Sequence, residues 1–215
     1  MYRSIAMILI GQYDSPFVRR VGIALTLYGL PFEHRPWSVF GESEKIRSYN
    51  PLVRVPTLVL DDGVSLLESH YILDHLDDLV GPQRAMFPAQ GTARRDALRA
   101  AALAMGLAEK GVALFYELRL HTQVSAVWSE RCRMQLASVA AALERERAAG
   151  GPEFWLGQRL GHADIALAAA LRFVNDAHPG LLPMAQLPTL AAHASRLEAL
   201  PVFQAVAQPF IPPTS

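Results

Sequence analysis

The chain changes character near residue 85, and that change restricts its fold more than any other feature of the sequence. Before it, apolar runs of strand length alternate with helical patterns; after it, every segment reads as helix. A chain divided in this way packs as a small α/β unit followed by an all-α unit, each around its own layers. The expected limits are residues 1–83 for the first domain, a linker over 84–91 and residues 92–215 for the helical domain. Gly81-Pro82 and the Pro88–Gly91 stretch mark the linker. At 215 residues there is enough chain for two bodies of unequal size.

Within the first part, Met7-Ile8-Leu9-Ile10 is a continuous apolar run, the pattern of a strand buried on both faces. Ser15-Pro16 then opens a helix, with serine as the cap and proline at the first helical position. Phe17, Val21, Ala24, Leu25 and Tyr28 recur on one face, and Gly29 followed by Leu30-Pro31 stops the helix. Phe32–Arg35 reads as a second strand, and the polar stretch Trp37–Asn50 has room for a short helix. Thr57–Leu60 and Val64–Leu67 flank Asp61-Asp62-Gly63, a hairpin signal, and a helix runs from Ser69 to about Leu79. The expected order is β-α-β-(α)-β-β-α.

The second part opens with a helix from about Thr92 to His121, about 45 Å long at 1.5 Å per residue. A second helix over Ser125–Ala149 carries Trp128, Cys132, Leu136, Val139 and Leu143 as its stripe. Ala163–Ala177 is apolar nearly all round, which marks a buried central helix. Two shorter helices start at Pro188 and Pro201.

Composition narrows the function. Lys plus Arg equals Asp plus Glu at 20 each, so the basic excess of a general nucleic-acid binder is absent. Cys132 is the single cysteine, which excludes an internal disulfide and any C-x-x-C pair and fits a reducing, cytoplasmic compartment. Its place on the apolar stripe makes it a core residue rather than a nucleophile. The apolar start at Ile5–Ile10 is too short for a signal sequence, lacks a small-residue cleavage site, and leads into Tyr13-Asp14-Ser15-Pro16. Met1–Ala6 carries no motif, so Met7 is an alternative start. No run has the length of a membrane span, and the histidines, read as surface or packing residues, have no metal-ligand spacing.

Five motifs in order now point to a family. Ser15-Pro16-Phe17-Val18-Arg19-Arg20 after a first strand resembles the opening of bacterial glutathione transferases of the serine type. Asn50-Pro51-Leu52-Val53-Arg54-Val55-Pro56-Thr57-Leu58 resembles that family's N-P-x-x-x-V-P-x-L segment. Leu67-Glu68-Ser69 with Ile72-Leu73 and His75-Leu76 resembles its L-x-E-S helix start. Gly161-His162-Ala163-Asp164-Ile165-Ala166 is similar to the x-x-A-D-I-A motif, and Leu200-Pro201-Val202-Phe203 to the R-P-x-F of the last helix.

The resemblance implies a glutathione transferase fold, α/β plus all-α, with a thioredoxin-like N-terminal domain and a helical-bundle C-terminal domain. It implies glutathione as co-substrate, no metal, a small-molecule electrophile as second substrate, a homodimer, and neither nucleic acid nor membrane as partner. Ser15 becomes the hydroxyl that activates the glutathione thiol, aided by the positive end of its helix. As a cap alone, Ser15 is worth about 1 kcal/mol; the two roles are compatible. Tyr13 is a competing hydroxyl. Thioredoxin-like relatives that do disulfide chemistry have a cysteine at this helix start; here stand Ser15 and Val18, so the nucleophile is the ligand's own sulfur.

The same resemblance makes Val55-Pro56 a cis bond whose backbone pairs with an extended peptide ligand. It assigns Glu68 to the ammonium and Ser69 to the carboxylate of the γ-glutamyl group. For the glycine carboxylate the candidates are Arg35, Trp37, Lys45 and Arg54. Tyr13, Phe40, Met105, Glu109, Val112 and Tyr116 are the candidates for an electrophile pocket between the domains. Asp164 has a structural role in the first turn of the buried helix. There the family places Ser or Thr at the position of Gly161, so half of a capping box is missing. A glutathione-dependent isomerase, dehalogenase or ether-cleaving lyase would share all of these motifs, as would a non-catalytic binding module.

Overall fold

The computed structural model describes residues 7–151 and 153–212. Residues 1–6, on which the alternative start at Met7 turns, lie outside them. The elements are β1 (Met7–Ile10), α1 (Pro16–Tyr28), β2 (Phe32–Arg35), α2 (Ser43–Arg47), β3 (Thr57–Val59), β4 (Ser65–Leu67) and α3 (Ser69–Val80). They are followed by α4 (Gly91–Leu120), α5 (Ala126–Ala148), α6 (His162–Ala177), α7 (Pro188–Glu198) and α8 (Pro201–Ala205). A short 3-10 turn, Met184–Gln186, precedes α7.

The strands form one mixed sheet in the order β2-β1-β3-β4. β1 lies parallel to β2 and antiparallel to β3, and β3 is antiparallel to β4. The Leu9↔Leu58 pairing puts those two fully buried side chains on one face of the sheet. Ile8, Ile10 and Val59 face the other way and form a core with Ile46 of α2, covered by Trp37, Val39, Tyr49, Val53 and Val55. A strand buried on both faces has no polar side to place, which explains the uninterrupted apolar run of β1. α1 and α3 pack together, with Val18, Val21, Leu25, Ile72, Leu73 and Leu76 wholly buried.

The chain divides into two compact units, 1–85 with 202–209, and 86–201 with 210–215. The segment 202–209 was expected in the helical domain and instead groups with the sheet. Its anchor is Arg19 of α1, whose guanidinium donates to the carbonyls of Val206 (2.8 Å) and Phe203 (2.9 Å) and lies over the Phe203 ring. In the helical unit α4 packs on α5 and α6, and α7 on α5 and α6. α6 is buried along nearly its whole length, as its all-round apolar sequence requires. Among the described residues no helix is long and apolar enough to cross a membrane.

Candidate functional site

Ser15 sits where β1 hands over to α1. Its backbone is extended (φ −70°, ψ 122°), Pro16 starts the helix, and its Oγ accepts from the Val18 amide at 3.4 Å. That bond uses an oxygen lone pair. The hydroxyl proton has no acceptor among the described residues and remains available as a donor. No acidic residue stands in the first turn of α1, and Asp14 immediately precedes the cap.

Tyr13 is directed elsewhere. Its ring stacks on His34 at 3.9 Å between centroids, and its amide donates to Gln208 Oε1 at 2.9 Å. A Cβ added to Gly22 would lie 2.7 Å from Tyr13 Cε1 and 3.2 Å from Cζ, so glycine at 22 is what admits the ring. Gly22 is about 10 Å along the helix from Ser15 at 1.5 Å per residue. The Tyr13 hydroxyl, carried on Cζ, is therefore near the middle of α1 and not at its start. Burial raises its pKa, which keeps it a neutral phenol. His34 Nε2–H donates to Gly11 O (2.8 Å), and burial lowers its pKa against that bond.

The Val55-Pro56 peptide is cis. A Cβ on Gly11 would fall 2.8 Å from Val55 Cβ, so this turn lies directly against the corner between β1 and α1. The turn is held from below by buried Asn50. Its Nδ2 donates to Arg54 O (2.8 Å) and Thr57 Oγ1 (3.1 Å), and its Oδ1 accepts from the Leu52 amide (3.0 Å). Among the described residues neither the amide nor the carbonyl of Val55 has a hydrogen-bond partner. An unpaired amide and carbonyl of one residue form a ready edge for one residue of extended peptide.

Glu68 precedes α3 with φ 63°, a left-handed conformation uncommon outside glycine and asparagine. It makes no capping bond; its carboxylate pairs with Arg54 Nη1 at 2.7 Å. Ser69, the first residue of the helix, is 2 % exposed, and its Oγ accepts from Arg20 Nη1 at 3.4 Å. As at α1, no acidic residue stands in the first turn.

The expected cations differ in how they are held. Arg35 is engaged by Glu33 (2.7 Å), by the Tyr49 hydroxyl (3.0 Å) and by the rings of Trp37 and Tyr49. The Glu33 carboxylate holds its pKa above the usual value. Arg54 is paired with Glu68. Lys45 is exposed, lies over the Trp37 ring at 5.7 Å, and has no carboxylate partner among the described residues. Phe40 is 46 % exposed in the same unit. In the helical unit Met105 is 1 % exposed and offers a ligand no surface; Val112 is half-buried, and Glu109 and Tyr116 are exposed. Periodicity puts the four on one face of α4, but burial along that face is uneven.

Asp164 works as a structural hub. Oδ2 accepts from the Gly161 amide (2.9 Å), Oδ1 accepts from the Trp155 amide (2.7 Å), and His193 Nε2 lies 2.9 Å from Oδ1. Glycine has no side chain to return the capping bond, so only the Asp164 half of the box exists. A Cβ on Gly161 would stand 3.1 Å from Met86 O, so a side chain there would be crowded. His193, expected as a packing residue, is a buried member of this network and accepts from Arg147 Nε at 3.1 Å. Cys132 is fully buried. Among the described residues no group of His, Cys, Asp or Glu could hold a metal ion.

Sequence reasoning missed Arg20, His34, His193 and Gln208. Only Arg20 had a signal: it stands three residues after Phe17 and four before Ala24, on the apolar face of α1, where an arginine is out of place.

The N-terminal domain model of glutathione S-transferases matches residues 9–84, and the C-terminal domain model residues 126–196. A probable glutathione S-transferase, GSTU1 of Oryza sativa subsp. indica, is 30% identical over 202 residues, 88% of this chain and 84% of that protein. The uncharacterized GST-like protein YibF of Escherichia coli (strain K12) is 31% identical over 106 residues, which span 49% of this chain and 52% of YibF. Among solved structures, a glutathione S-transferase of Methylobacterium radiotolerans in complex with glutathione sulfonate superposes with a TM-score of 0.89. It shares 31% identity and covers 98% of both chains. The chain belongs to the glutathione S-transferase family.

Proposed function

We propose that the protein is a serine-type glutathione transferase that joins the glutathione thiolate to small apolar electrophiles. The observation that carries this reading is the Ser15 hydroxyl, which accepts from its own helix and still has a proton to donate at the start of α1. A thiol bound there loses its proton to water, and the thiolate is held by the hydroxyl and the helix terminus. The sulfur then attacks the electrophilic carbon. A C–S bond forms, and the electron pair leaves with a departing group or moves onto a conjugated acceptor that is then protonated. The orientation of Tyr13 toward Gly22 supports Ser15 over the competing hydroxyl.

The rest of the cradle fits a γ-glutamyl tripeptide. Val55 offers an unpaired amide and carbonyl to its extended backbone. Glu68 receives the ammonium, Ser69 and the first amides of α3 receive the α-carboxylate, and Lys45 beside Trp37 suits the glycine carboxylate. The left-handed backbone of Glu68 costs about 1–3 kcal/mol, and such strain clusters where a side chain must be aimed at a ligand. Phe40, Val112 and Tyr116 are the accessible apolar candidates for the electrophile. A homodimer in the cytoplasm remains the expected setting.

The test is an assay with a chromogenic electrophile on wild type and Ser15→Ala. Loss of one donor to a thiolate lowers kcat/KM by about 10- to 100-fold. Equal turnover by the two proteins would remove Ser15 from the chemistry.

A further inference from the structure

The turn that leads into Ser15 is tied to the far end of the chain. Residues 202–209 belong to the same compact unit as the sheet, and α1 holds them in place. Arg19 donates to the carbonyls of Phe203 and Val206. Gly22, on the same helix, leaves the room that Val206 and the Tyr13 ring share. A Cβ there would stand 3.0 Å from Val206 Cγ1 and 2.7 Å from Tyr13 Cε1. Gln208, half-buried, then accepts from the Tyr13 amide through Oε1 at 2.9 Å, across 195 positions of sequence. Arg19 and Val206 fix this segment without help from Gln208. The fold therefore accounts for where residue 208 lies, but not for a polar side chain aimed at that amide.

We propose that Gln208 is a positioning residue for Ser15, acting through the Tyr13 backbone on the hydroxyl that meets the bound sulfur. This rests on the serine–thiolate reading above. Gln12–Ser15 is a turn closed by the Ser15 amide on Gln12 O at 3.1 Å, and Tyr13 is its second residue. The strand end of the loop is tied to β2, where the Gly11 amide donates to Arg35 O at 2.9 Å. Stacking on His34 fixes the Tyr13 ring, and Gln208 fixes the Tyr13 backbone inside the turn. A donor serves a developing charge only when held within about 0.5 Å of its productive place, and the aim of the Ser15 hydroxyl is set by this backbone. A side-chain amide suits the task. It accepts the N–H bond without bringing a formal charge to a loop whose ligand is an anion. A carboxylate of the same length would accept as well, but would raise the pKa of a nearby thiol.

Ultraviolet titration of protein-bound glutathione tests this, because the thiolate absorbs where the thiol does not. A second ligand, S-methylglutathione, has no thiol proton, so its Kd reads the peptide cradle alone. In the wild type the bound thiol is expected to titrate below the value of about 8.5 for a free cysteine thiol. Gln208→Leu is expected to raise that pKa by about half a unit, about a threefold loss of thiolate at neutral pH, and to leave the Kd of S-methylglutathione within about twofold. Gln208→Ala needs less room and keeps the test readable if leucine is not accommodated, with the same pattern expected. An unchanged thiol pKa, or a loss of S-methylglutathione affinity as large as the loss of thiolate, would overturn the role and leave Gln208 a structural residue. A wild-type thiol pKa at the free value, or one that Ser15→Ala does not raise, overturns the serine–thiolate reading itself, and this role with it.

Discussion

The starts of α3 and α6 solve the same physical problem in opposite ways. Both are helix N-termini with unpaired amides, and both have a buried basic side chain beside them. At α6 the protein supplies the anion. Asp164 accepts two amides and meets His193, which in turn is held by Arg147. At α3 no acid stands in the first turn: Arg20 donates to Ser69, and Glu68, the nearest carboxylate in sequence, is turned to Arg54. α7 follows the α6 pattern, with Glu144 accepting from the amides of Thr189 (2.9 Å) and Leu190 (2.8 Å). A helix start closed by its own acid contributes to stability. One left open is a place for a ligand, at some cost to the empty protein.

The contrast can be broken most directly at Asp164. Asp164→Ala would leave two amides and His193 buried without their acceptor, and a loss of about 3 kcal/mol or more in urea unfolding is expected. Ser69→Ala at the open start should change stability by less than about 1 kcal/mol while weakening glutathione binding. A comparable loss of stability in the two variants would erase the distinction between closed and open starts.

Glu144 sharpens the same point through pH. Burial raises its pKa, but the hydrogen bonds from Leu190 and Thr189 outweigh that, and its folded value lies below the usual one. A carboxylate with a depressed folded pKa contributes stability above its unfolded value, about 4.3, and loses it as pH falls through the folded value. Glu144→Gln should therefore lower stability at neutral pH by about 1 kcal/mol and flatten the acid limb of a stability profile. A variant with the acid limb of the wild type would remove Glu144 from that role.

The smallest effect is expected at His34. Burial lowers its folded pKa below the unfolded value of about 6.5. The unfolded chain then takes up a proton that the folded chain does not, and stability falls as pH drops below that value. His34→Phe keeps a ring against Tyr13 and should remove this slope, read as the change in melting temperature between pH 7 and pH 5.

Much of this was legible in the sequence because the signals are local. Ser15-Pro16 starts α1, Asp-Gly turns the hairpin, and the apolar sequence of Ala163–Ala177 foretold a buried helix; each rests on conformational preference or periodicity within a few residues. The second-unit candidates on α4 show the limit. Met105, Glu109, Val112 and Tyr116 share a face by spacing, yet Met105 is core and Tyr116 exposed, because burial depends on what packs across that face. The segment 202–209 shows it again: no residue in it says that Arg19, more than 180 positions earlier, will collect its carbonyls.

The sequence by itself determined where helices and strands begin, that no protein cysteine stands at the first helix start, and that Ser15 caps it. Those properties belong to neighbouring residues, whose geometry the backbone sets directly. Only the tertiary structure decided where the competing Tyr13 hydroxyl lies and which helix ends are closed. It placed Tyr13 against Gly22, set Asp164 among amides and His193, and buried Arg20 behind Ser69. These outcomes depend on distances between residues far apart in the chain, and on which charges find a partner when the core closes.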